Sequence, residues 1–177
     1  MRSLLLASAL GLVAGGAMAA GSGSSSPPTP TQTTTCPEGT VYDADAGGCV
    51  APQESGLSDD ELFEAVRELA YAGRLDDAAL ALDAMSEGRT GRVSTYLGFI
   101  ARKSGDFDLA LSHYREAIAA DPDDLLARSY MGQGYVAEGD LAAAELQLAE
   151  ITARGGAGTW PEIALRRAIE TGQGASY

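Results

Sequence analysis

A glycine-centred turn appears three times in this chain, at Ala72-Gly73-Arg74, Ser104-Gly105-Asp106 and Glu138-Gly139-Asp140, with spacings of 32 and 34 residues. A period in that range marks a stacked array of helix pairs. One pair cannot bury its apolar face alone, so neighbours must stack to make a core. The flanking segments carry the matching pattern. Leu62, Ala65, Val66, Leu69 and Ala70 fall at helical spacing before the first turn, and a partner helix follows from Leu75 to Met85. Ser58 and Glu61 form a capping box at the start of the first helix. Asp59 and Asp60 favour its positive end, and Leu57 can staple onto Leu62. At the far end, Thr159 and Glu162 form a second capping box around Pro161, opening a helix that runs to Glu170 and stops at Gly172. Ile163, Leu165, Ala168 and Ile169 are expected to cover the last pair, with Trp160 packed at the end of the stack and Arg166 and Arg167 turned to solvent.

The middle unit, Gly91 to Asp124, carries the most detail. Leu97-Gly98 stands in its first helix. Gly105-Asp106-Phe107 makes the turn, Ala110, Tyr114 and Ala117 follow at helical spacing, and Pro122 closes the unit. In this pattern it resembles a tetratricopeptide repeat. Ser94 and Ala101 stand where the family often has Trp and Tyr. The next unit, Leu125 to Gly158, repeats the pattern with Met131-Gly132, Tyr135, Gly139-Asp140-Leu141 and Ala144. The preceding one, Asp59 to Arg89, keeps Leu69, Gly73, Leu75, Ala78 and Leu82 but lacks the Leu-Gly pair and the proline. The resemblance implies an all-α right-handed superhelical stack of three helix pairs plus a C-terminal capping helix over residues 57–172, with a frayed tail at 173–177.

The first 56 residues are of another kind. Residues 1–20 hold an early Arg2, an apolar run from Leu4 to Val13 and the small-residue end Ala17-Met18-Ala19, the layout of a cleaved secretory signal. The run is shorter than the about 20 residues a membrane span needs. Residues 21–35, GSGSSSPPTPTQTTT, offer nothing apolar to bury beyond proline and read as a disordered tether. Residues 36–50 hold Cys36 and Cys49, the only two cysteines. Export permits their oxidation, and Asp45-Ala46-Gly47-Gly48 supplies a turn that returns Cys49 to Cys36, so a small disulfide-closed module of its own is expected. Residues 51–56 link it to the helices. From the leader pattern and the arginine-rich usage, a bacterial cell envelope, of the Gram-negative periplasmic kind, is the expected location.

Twelve Lys and Arg stand against 25 Asp and Glu, a formal charge of −13. That balance excludes the basic face of a nucleic-acid binder. No phosphate loop, cysteine–histidine cluster or nucleophile–base pairing is present, so no enzyme, metal or cofactor is called for. The sole histidine, His113, is expected on the surface. The acidic runs Asp59-Asp60-Glu61 and Asp121-Pro122-Asp123-Asp124 start helices and lack the spacing of a calcium loop. The resemblance instead implies a concave working surface lined by the first helix of each pair. Its outward positions are Phe63 and Arg67, then Arg92, Thr95, Phe99, Arg102 and Lys103, then Ser129, Gln133 and Val136. Four of these are basic and none is acidic, a groove suited to an acidic or C-terminal segment of a partner protein. The chain has no Asn, which removes the Lys, Arg and Asn set by which some family members grip a terminal carboxylate. The expected role is therefore a non-enzymatic interaction module. The alternative is an envelope-associated structural protein held through the Cys36–Cys49 module, with the helices as spacer. Self-association stays open, because a short stack can leave an apolar end exposed.

Overall fold

The computed structural model describes residues 33–173. The expected signal, most of the tether and the last four residues lie outside the described residues. A single 3-10 turn at Thr33–Thr35 leads into strands β1 (Val41–Asp43) and β2 (Gly48–Val50), and a second turn follows at Pro52–Glu54. Then come seven helices: α1 (Asp59–Tyr71), α2 (Leu75–Ala84), α3 (Gly91–Lys103), α4 (Phe107–Ala120), α5 (Leu125–Ala137), α6 (Leu141–Ala153) and α7 (Trp160–Thr171). Helices α1–α2, α3–α4 and α5–α6 pack as pairs. The first helices α1, α3, α5 and α7 lie side by side in that order. This is the expected tetratricopeptide-like stack, with α7 as its end.

Each inter-helix turn follows one rule. Gly73, Gly105 and Gly139 take φ of 78°, 90° and 81°, a left-handed conformation that side-chain-bearing residues avoid. The next amide then reaches back to close the preceding helix: Arg74 N–H to Leu69 O, Asp106 N–H to Ala101 O and Asp140 N–H to Tyr135 O, each at 2.9 Å. Asp106 and Asp140 also cap the following helix, accepting from Leu109 N–H and Ala143 N–H. The Ser58–Glu61 capping box forms as expected. The second one does not. Thr159 turns back to donate to Gly156 O, and Glu162 pairs with Arg166 one turn along α7. Ile163 is also displaced from its expected place and is 49% exposed, while Ala164, Leu165 and Ala168 face the stack. Arg166 and Arg167 are exposed, as expected of a soluble end.

The pairs approach closely because Gly98 has no side chain. A Cβ there would lie 2.5 Å from the Tyr114 ring, closer than packed carbons allow. Gly132 gives the same room to Leu165 of α7, and Gly134 to Phe107 of α4. One core runs from Val41 in β1 through α1 to α5, and a second joins α5, α6 and α7 around Val136, Ile151 and Leu165.

Cys36 and Cys49 are bonded, with the hairpin pairing Tyr42 to Cys49. The segment does not stand apart from the helices. Val41 is fully buried in the helical core. Arg74, which occupies the turn position that Asp fills in the later repeats, donates to Cys36 O at 2.8 Å and Pro37 O at 3.0 Å, and pairs with Asp77. Asp77 accepts from Gly39 N–H at 2.6 Å, and Glu68 accepts from Thr34 N–H at 2.7 Å. Thr33 to Thr35 thus form a docked turn rather than the end of a featureless tether. Within the hairpin, Asp43 accepts from the amides of Ala46, Gly56 and Asp45, which hold its carboxyl below the usual range.

Two outcomes follow. Gly98→Val should destabilise the protein by about 1–3 kcal/mol through overpacking, whereas Gly48→Ala, where a Cβ meets nothing within 4 Å, should be nearly silent in the same thermal unfolding series. Replacing both cysteines by serine should cost about 3 kcal/mol, read as a lower urea midpoint, since the bridge closes a loop of that size class. A fold with unchanged midpoint would mean that the docked contacts alone fix this segment.

Candidate interaction face on the first helices

All ten residues singled out for the concave face lie on α1, α3 and α5, the three first helices. Their side chains divide into three groups. The aromatics form a continuous row. Phe63 meets Tyr96 edge-on at 5.2 Å between centroids. Tyr96 contacts Phe99 at 5.9 Å and Tyr130 at 6.3 Å, Phe99 meets Tyr130 at 4.9 Å, and Tyr71 stacks on Phe99 at 5.5 Å. Phe63 and Phe99 are buried, so they serve the row rather than standing out as anchors. The Tyr71 and Tyr130 hydroxyls hydrogen-bond to each other. Burial pushes the Tyr71 phenol up to about 12, so Tyr71 carries no charge at neutral pH.

The small polar residues are spent on joining repeats. Thr95 is buried and donates to Asp124 Oδ2 at 2.7 Å, across the boundary between α3 and α5. Ser129 is buried and donates to Pro161 O at 2.8 Å, which ties α5 to α7. Gln133, also buried, donates through Nε2 to Ser129 Oγ at 3.2 Å. Val136 is buried in the second core. A helical period assigns these residues to the correct helices. It does not report that adjacent first helices bury one another's flanks.

The cations differ among themselves. Arg67 is buried and pairs with Glu64 one turn earlier on α1. Arg92 lies 4.8 Å over the Phe63 ring and is held by Glu87 at 2.6 Å and Asp60 at 2.7 Å. Its guanidinium is stabilised first by Glu87 and then, against some desolvation, by Asp60. Arg102 is half-buried and lies over two rings, Phe99 at 5.4 Å and Tyr130 at 5.9 Å. Its Nε sits 3.4 Å from the Tyr114 hydroxyl. Lys103 is exposed. Partial desolvation, and then the charge of Arg102 beside it, hold its ammonium below the ordinary lysine range.

Two residues off this face were read differently from sequence. His113 is buried, not exposed. Its Nδ1 lies 3.4 Å from both Glu116 Oε2 and Arg89 Nη1, under the loop before α3. It belongs to the inner stripe Ala110, His113, Tyr114, Ala117, whose i, i+3, i+4, i+7 spacing was there to be read. Asp59 does more than favour a helix end. It accepts from Ser86 N–H, Ser86 Oγ and Glu87 N–H, pinning the loop after α2, and these bonds hold its carboxyl below the usual range. Among the described residues no group of His, Cys, Asp and Glu is placed to hold a metal, and no helix is long and apolar enough to cross a membrane.

Asp124 offers a test of the inter-repeat joint. Its Oδ1 caps α5 by accepting from Ala127 N–H, and its Oδ2 accepts from Thr95, yet burial wins and raises its pKa. A carboxyl that keeps its proton to higher pH when folded favours folding more at low pH, and that contribution falls as pH rises toward neutrality. Asparagine keeps the cap without the charge, and Thr95 Oγ can then donate to Gly91 O, 2.9 Å away, while accepting from the new amide. Asp124→Asn should therefore match or exceed native stability at pH 7, with an advantage that shrinks toward pH 4. Asp124→Ala should lose about 1–2 kcal/mol at both, measured by thermal unfolding.

Residues 101–164, from the end of α3 into α7, match the model of the tetratricopeptide repeat. No curated protein and no solved structure matches the chain. The matched stretch holds the last turn of α3, all of α4, α5 and α6, and the start of α7, so the likeness rests on the stacked pairs and not on the disulfide-closed segment. Tetratricopeptide repeats generally mediate contacts between proteins and are typically non-enzymatic, and that is the similarity with which this chain's helical stack is credited.

Proposed function

We propose that this protein is an exported, non-enzymatic interaction module of a bacterial cell envelope, and that it holds a partner protein against the face formed by its first helices. The observation that carries the reading is the set of cations along α3, Arg92, Arg102 and Lys103, the two arginines lying over a buried row of aromatic rings. Arginine is among the residues that dominate binding energy at protein interfaces. The protein as a whole is acidic, so a cationic strip on α3 stands out from its surroundings and would select an acidic segment of a partner. Export is supported by the N-terminal leader pattern and by the Cys36–Cys49 bond, since such bonds persist in oxidising compartments.

The test is affinity capture from an envelope extract with the mature protein beside an Arg92→Glu, Arg102→Glu, Lys103→Glu variant of equal helicity. A partner retained by the native form and lost from the variant supports the face and names the ligand. The same partners on both would rule the strip out and direct attention to the hairpin end.

A further inference from the structure

We propose that the Cys36–Cys49 bond is a redox-dependent latch on the first helix pair. With the bond made, the hairpin docks and α1 and α2 close. With the two thiols free, the hairpin leaves and that pair opens. The polar bonds that dock the segment end on α1, α2 and the turn between them. Arg74 donates to Cys36 O and Pro37 O, Asp77 accepts from Gly39 N–H, and Glu68 accepts from Thr34 N–H. The first three of these, and the fully buried Val41, lie inside residues 36–49, the loop that the bond closes. Covalent closure and docking thus act on the same short stretch of chain.

That stretch holds its shape poorly without the bond. Its sheet is two strands of three residues, and a lone two-stranded hairpin is marginal in water. Gly39 and Gly47 take positive φ and Gly48 follows, so the open loop has much chain entropy to lose on docking. Closing a loop of this size class favours the ordered form by on the order of a hundredfold. The first pair depends on the docked form in turn. Helix α2 has no side-chain cap, because Arg74 stands where Asp106 and Asp140 cap the later second helices. Undocking also takes one donor each from Glu68 and Asp77, both buried, and a buried carboxylate that loses a donor favours opening toward water. An end unit of an array can open in this way without the rest. Closure is a thiol–disulfide exchange. The two thiols give up two electrons and two protons to a disulfide-bearing donor, which leaves as its dithiol, so one S–S bond forms as another breaks. In the docked form Cys49 is exposed and Cys36 buried, so a reducing thiolate meets Cys49, and Cys36 leaves as the thiolate. For the exported chain proposed above, the stack is completed only once an oxidising compartment is reached.

The test is amide hydrogen exchange, read by mass spectrometry on the mature protein in three states: oxidised, reduced with a phosphine, and reoxidised with oxidised glutathione. Reduction should raise exchange at least about tenfold in residues 36–50 and in α1 and α2, leave α5, α6 and α7 within about twofold, and reverse on reoxidation. The paired Cys36→Ser, Cys49→Ser variant reaches the open state without reductant and should show the same local pattern. Arg74→Gln keeps the bond but removes the docking donor. It should raise exchange in α2 severalfold while the intact mass shows Cys36 and Cys49 still joined. The proposal is overturned if reduction opens the hairpin but leaves α1 and α2 protected, which would make the segment an appendage. It is also overturned if every helix loses protection alike, which would make the bond a staple of the whole fold, if no segment changes, or if Arg74→Gln exchanges as the native protein does. None of these readings involves a partner, so the latch and the interaction face stand or fall separately.

Discussion

The stack depends on how closely two helices of a pair can lie, and Gly98 sets that distance. The Tyr114 ring occupies the space a Cβ would need. With the pair closed to that distance, Tyr114 is wholly buried, its hydroxyl comes under Arg102, and the aromatic residues of α3 are directed away from α4 toward α1 and α5. Gly132 and Gly134 repeat the device one unit on, admitting Leu165 and Phe107. Because these glycine contacts join only neighbouring units, the energetics approach those of a one-dimensional array, with stability in each pair and each joint, and the Tyr71–Tyr130 hydroxyl bond adds one link from the first unit to the third. The joints are polar as well as apolar. Thr95 to Asp124 and Ser129 to Pro161 O are buried hydrogen bonds that fix how one first helix sits against the next, and a buried bond left half-made costs more than it contributes when made.

An array has two ends, and this one finishes them differently. The C-terminal end is a single helix whose inward side is Ala164, Leu165 and Ala168 and whose outward side carries Arg166 and Arg167. The N-terminal end is closed by the disulfide-bonded hairpin. The switch that makes this closure is one residue. Where the second and third turns carry Asp106 and Asp140 to cap the next helix, the first carries Arg74, which leaves α2 without a side-chain cap and reaches the carbonyls of the hairpin instead. The hairpin is therefore part of the stack's architecture. That placement weighs against a freestanding binding knob with helices as spacer.

Much of this was legible in the sequence because it depends on local rules. Turn spacing gave the number of pairs, Ser58 and Glu61 gave the start of α1, and Gly172 gave the end of α7. The disulfide needed only two cysteines and a turn between them. His113 apart, whose buried stripe is local, the errors share a cause: they depend on what the rest of the chain brings near. Thr159 has the capping sequence but a better acceptor in Gly156 O. Asp124 is read locally as a cap, and only the approach of α3 makes it a buried carboxylate. Arg74 and Cys36 are linked through space across a separation that no periodicity encodes.

The candidate face shows the same division. The repeat pattern put all ten residues on the correct helices, but it could not tell a cation paired with acids of its own chain from one packed on rings. That distinction requires seeing where the acids fall. Glu64 lies one turn before Arg67, so that pair was local and could have been found. Glu87 reaches Arg92 from the loop after α2, which Asp59 pins, and Asp60 reaches it from α1. Around Arg102 the approaching groups are rings, since the residues one unit to either side on the first helices include Tyr71 and Tyr130. Arg67 and Arg92 meet carboxylates of their own chain while Arg102 meets rings, and that difference is set by the aromatic row rather than by the arginine count.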